Sequence, residues 1–95
     1  MQPPQGAGII ALPRSTSLRD QLPDAVLDAG EDIGARLNRS LYACVNDLAS
    51  GQLLCVISKD PKSRDEVPAW CDLTGNRLQE VEVDGEQTVF WVMKG

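Results

Sequence analysis

Between positions 33 and 48, apolar residues recur at spacings of four, four, four and three: Ile33, Leu37, Leu41, Val45 and Leu48. That stripe is one face of an amphipathic helix. Cys44 lies on the same side, while Arg36, Arg39, Asn46 and Asp47 fill the solvent side. Glu31 and Asp32 suit the helix start, because carboxylates favour the positive end of the macrodipole. Gly51 stops the helix near Ser50. Leu53-Leu54-Cys55-Val56-Ile57 then runs apolar without a break. Such a run reads as a strand with contacts on both faces, typically a central one. A one-sided helix followed at once by a two-sided strand calls for helices layered on a sheet.

The flanking segments extend this pattern. Ala25-Val26-Leu27, after Pro23, predicts a first strand. Lys59-Asp60-Pro61 ends the central strand, since the residue before proline resists helix. Ser63 with Glu66 spells a capping box for a second helix. Pro68 removes a hydrogen bond from it, which predicts an irregular start or a re-set near Pro68. Trp70, Cys71 and Leu73 are expected around its inner side, and Gly75 ends it. Residues 77–83 and 87–94 read as strands joined by Asp84-Gly85, a common hairpin signal. In the last strand, Phe90 and Val92 share one face and Val89, Trp91 and Met93 the other.

The order is βαβαββ. A strand, a crossover helix and a parallel strand wind right-handed, and the hairpin completes the sheet. The expected fold is therefore α+β: a two-layer sandwich with a four-stranded mixed sheet and two helices on one face. Residues 1–23 hold four of the six prolines and a Ser15-Thr16-Ser17 cluster, so they read as a loosely ordered arm before a domain at 24–95.

The chain of 95 residues is long enough for one small domain. It contains no histidine, which excludes histidine-based triads and histidine metal ligands. Its net charge of −5 lacks the basic footprint that nucleic-acid binding needs. Cys44, Cys55 and Cys71 are odd in number and widely spaced, which is neither a disulfide framework nor a zinc motif. Free thiols of this kind fit a reducing, cytoplasmic setting. No apolar run approaches the ~20 residues of a membrane span, and the first residues lack the pattern of a signal peptide. Asp60, Asp65 and Asp72 do not have the spacing of a calcium loop, so no metal is expected. Arg36 and Arg39 read as members of surface ion pairs.

Gly51, Asp60-Pro61, Asp65, Val67-Pro68-Ala69-Trp70, Gly75-Asn76, Leu78, Phe90, Val92 and the terminal Lys94-Gly95 occur in an order and spacing that resembles the TusA/SirA family of small sulfur-carrier proteins. Leu27-Asp28 resembles the opening of that family's first strand. The resemblance implies a βαβαββ sandwich. It also implies a cysteine, in a Cys-Pro-x-Pro motif at the start of the first helix, that carries sulfur as a persulfide and needs no further cofactor. Aligned without gaps, that motif falls on Gly34-Ala35-Arg36-Leu37, and Gly34 stands at the cysteine. Both prolines are also missing.

The resemblance therefore implies the fold of a sulfur carrier without its nucleophile. The expected function is that of a degenerate, non-catalytic binding or adaptor domain, with a cysteine desulfurase or another sulfur-relay protein as partner. The alternative is an active carrier or sulfurtransferase that uses a displaced cysteine such as Cys71. Asp65 and Asp72 are expected to raise that thiol's pKa. If the helices cover the Phe90 face, Val89, Trp91 and Met93 form an open apolar face, a candidate surface for a partner or for self-association. Cover by Ile9, Ile10 and Leu12 of the arm is the other reading of that face.

Overall fold

The computed structural model describes residues 22–95; the expected arm at 1–23 lies almost entirely outside them. Six elements follow in order: β1 (Ala25–Gly30), α1 (Gly34–Asn46), β2 (Leu53–Ser58), α2 (Ser63–Thr74), β3 (Arg77–Asp84) and β4 (Gln87–Met93). The strands form one sheet in the order β1-β2-β4-β3. β1 runs parallel to β2, with Val26 opposite Cys55, and the register shifts between Asp28 and Gly30. β4 lies antiparallel to both neighbours, so that Phe90 faces Val56 on one side and Val81 on the other. The expected α+β sandwich with a four-stranded mixed sheet is the observed architecture.

The core lies between the sheet and the helices. Leu37, Leu41 and Val45 of α1, Val67, Trp70 and Cys71 of α2, and Leu54, Val56, Phe90 and Val92 of the sheet are buried in one cluster. Leu48 and Cys44 pack at its margin. The heptad-like stripe thus does what its spacing requires: it removes one helical face from water.

Three local expectations give way to the tertiary structure. The first concerns α1, which begins at Gly34 rather than at Glu31 and Asp32. Those two residues belong to a turn, closed by the Asp32 N–H on the Ala29 carbonyl. The helix also ends earlier than Ser50, at Asn46. Asp47 and Leu48 bond back three residues, to Cys44 and Val45. Lys94 reaches from the C-terminal segment and donates its Nζ to the Val45 carbonyl at 2.6 Å. A cation there meets the negative end of the helix.

The second concerns the capping box at α2. Asp60 organises that turn instead, accepting the Lys62 N–H at Oδ1 (2.8 Å) and the Ser63 hydroxyl at its carbonyl (2.7 Å). The N–H groups of residues 63–66 bond back to 60–62. With these first donors satisfied, Glu66 is free for another helix. The helix then runs unbroken through Pro68 to Thr74. Proline withholds one interior bond without interrupting it.

The third concerns Leu73, which is 80% exposed rather than internal. Trp70, Cys71 and Val67 fill the buried face of α2, and Leu73 lies to one side of it.

The terminal motif residues are structural. Gly75 closes α2 in the left-handed region, at φ +77°. Asn76 accepts the Gly95 N–H at 3.0 Å and donates to Thr74 at 2.8 Å. A Cβ on Gly95 would overlap the Gly75 carbonyl. The Gly75-Asn76 and Lys94-Gly95 pairs therefore clamp the chain end against the turn after α2.

Candidate functional site

Gly34 opens α1 at φ +60°. Ile33 before it is extended and offers no side-chain cap. The helix N-terminus thus carries unsatisfied N–H groups. Its Gly34 N–H is taken by Glu66 of α2, which accepts it at Oε1 at 2.8 Å. Residues 32 apart in sequence form this contact. The spacing from Ser63 to Glu66 points Glu66 at its own helix, and nothing in the sequence marks the bond across to α1.

A groove runs between α1 and α2 beside this contact. Gly34, Asn38, Glu66, Ala69, Trp70 and Leu73 line about 220 Å³ of it. Trp70 forms its floor against the core, and the Tyr42 ring meets Trp70 edge-on with centroids 5.5 Å apart. A Cβ at Gly34 would meet nothing within 4 Å, so a side chain there has space and is opposed by backbone conformation alone.

The three thiols are elsewhere. Cys71, 2% exposed, packs in the core. Burial first, and the Asp72 carboxylate second, push its thiol up to about 11. Asp72 therefore acts as expected, but burial outweighs it, and Asp65 takes no part. Burial likewise raises Cys55, and burial followed by Asp47 raises Cys44. All three shifts oppose the thiolate, which is the reactive form.

On the sheet face opposite the helices, Val26 is exposed, and Val89 and Met93 are half-buried. Trp91 is 3% exposed, which corrects the expectation of an open aromatic there. It sits mid-strand in register between Cys55 and Glu80, away from the sheet edges. Cover by Ile9, Ile10 and Leu12 concerns residues outside those described. Arg36 in the first turn of α1 pairs with Asp32, just before the helix, at 3.8 Å. Among the described residues, no three metal-ligating side chains gather, and no helix is long and apolar enough to cross a membrane.

The geometry makes a chemical prediction about Gly34. A helix N-terminus lowers a thiol's pKa, but a carboxylate on the same amides opposes a second anion. Gly34→Cys alone is expected to give a thiol of nearly ordinary pKa. Adding Glu66→Ala is expected to lower that pKa by about one unit. The pH dependence of iodoacetamide labelling measures both values, and equal values would show that Glu66 has no hold on this site.

Comparison with known proteins places the chain. The family model described as sulfurtransferase TusA matches residues 41–94, beginning after the first turns of α1. The sulfur carrier protein TusA of Pseudomonas putida strain GB-1 is 35% identical over 77 residues, which cover 81% of this chain and 96% of that protein. TusA of Pseudomonas aeruginosa strain LESB58 is 35% identical over 71 residues, covering 75% of this chain and 90% of its own. A crystal structure of a SirA-like protein from Desulfitobacterium hafniense superimposes with a TM-score of 0.63 at 15% identity, covering 75% of this chain and 97% of that one, and so shares the fold. With its sandwich, its clamped terminus and this degree of identity, the chain belongs to the TusA family of sulfur carrier proteins.

Proposed function

We propose that this chain is a degenerate TusA domain that works by binding rather than by carrying sulfur, as an adaptor in a cytoplasmic sulfur relay. One observation carries the reading. At the helix start where the resemblance puts the sulfur-bearing cysteine stands Gly34, and its N–H already holds the Glu66 carboxylate at 2.8 Å. A persulfide is an anion, and the place that would stabilise it is filled from within by another anion. Both the nucleophile and its electrostatic support are gone, while the fold that partners of the family meet is kept.

The alternative is transfer through Cys71. That reading needs a thiolate at a residue 2% exposed whose thiol is pushed up to about 11. At neutral pH that leaves on the order of one thiolate in ten thousand. Burial and pKa both weigh against it.

Competition with an authentic relative tests the binding role. A TusA protein, a cysteine desulfurase and cysteine are mixed, and sulfur loading of TusA is followed with increasing amounts of this chain. The proposal expects loading to slow as this chain occupies the desulfurase. Unchanged loading at a large excess would remove the desulfurase as its partner.

A further inference from the structure

We propose that the groove between α1 and α2 docks a segment of a partner protein bearing an aliphatic side chain flanked by lysine or arginine. This rests on the binding role proposed above, and it names the surface and the chemistry of the partner. The groove, at about 220 Å³, is smaller than the roughly 300–1,000 Å³ of small-molecule sites. It suits one or two side chains. Leu73 stands at its edge, 80% exposed, beside Ala69 and the Trp70 floor.

An exposed leucine alone means little. The charges around this one select the occupant. Asp65, Ala69 and Leu73 follow one another at spacings of four, Asp72 lies three residues after Ala69, and all four are exposed. The apolar pair is thus bordered by two carboxylates along the same side of α2. Glu66 lines the groove itself, and Glu31 lies shortly before Gly34 in the chain. The one basic residue of α2, Arg64, turns away and donates to Thr88 of β4 at 3.0 Å. Arg36 is engaged with Asp32. An acidic segment or a nucleic acid would meet like charge here, whereas a basic one meets its complement.

The test uses the full chain, labelled with nitrogen-15, and two synthetic peptides of equal length. One repeats leucine and lysine, the other leucine and glutamate. The lysine peptide is expected to shift the amides of Gly34, Asn38, Glu66, Ala69 and Leu73, and to bind more weakly as salt rises. The glutamate peptide is expected to leave them in place. Leu73→Asp should weaken binding by about tenfold or more. The pair Asp65→Lys with Asp72→Lys should do the same while leaving the groove intact. Shifts centred on Val26, Val89 and Met93, equal binding of the two peptides, no shifts at millimolar lysine peptide, or full binding by both variants would each overturn the proposal. Sulfur uptake by the chain would overturn the binding-only reading without moving these shifts, so the two failures are separable.

Discussion

Phe90→Ala is expected to remove about half of the protein's folding stability. Phe90 is fully buried at the centre of β4, in register with Val56 and Val81. Truncating a buried phenylalanine costs about 3–5 kcal/mol, partly lost burial and partly the cavity left behind. A small domain has only about 5–10 kcal/mol in total. Phe90 belongs to the one hydrophobic core cluster found among the described residues. Urea denaturation would register the loss as a lower midpoint with an unchanged slope. A loss under about 1 kcal/mol would mean that the sheet repacks freely around the gap.

The second large effect is alkaline, and it comes from Cys71. Its thiol is neutral when protonated. It ionises near 9 in the ordinary case and is pushed up to about 11 in the fold. Between those values the unfolded chain binds fewer protons than the native one. Stability contributed by this group is therefore complete below pH 9 and is lost as the pH rises toward 11. At about 1.4 kcal/mol per unit, the loss across that window is about 2–3 kcal/mol. Cys71→Val removes the titrating group. Stability measured from pH 8 to 11 (about the window just derived) should fall more steeply in the wild type than in the variant. Parallel curves would mean that Cys71 ionises freely in the folded protein, and the case against a Cys71 carrier would go with them.

The fold was legible because several local signals agreed on it. The stripe from Ile33 to Leu48, the unbroken run at Leu53, the Asp84-Gly85 turn and the alternation around Phe90 each specify an element and the face it buries. The boundaries of α1 were less legible. Glu31 and Asp32 look like helix-starting residues, yet the turn back to Ala29 takes them first. Pro68 reads as an interruption in the sequence, yet α2 runs through it with one interior bond withheld.

The site was half legible. Gly34 emerged from the resemblance alone. Glu66 emerged as a capping residue of the wrong helix, because a three-residue spacing cannot distinguish a bond to one's own helix from a bond across to a neighbour. The apolar character of Leu73 points it inward, whereas its position on α2 turns it to the groove. Alternation in β4 puts Trp91 on the face away from the helices, as the register has it, but sets only the face of a side chain and not its exposure.

The proposed loss of sulfur carriage is tested most directly by the intact mass of the chain after incubation with a cysteine desulfurase and cysteine, without reductant, beside a TusA control. Cys44→Ala, Cys55→Ala and Cys71→Ala variants are run in parallel. TusA is expected to gain a sulfur atom while this chain, wild type and variants alike, keeps its mass. A gain of one sulfur in the wild type that disappears in a single variant would contradict it and identify the thiol that carries the load.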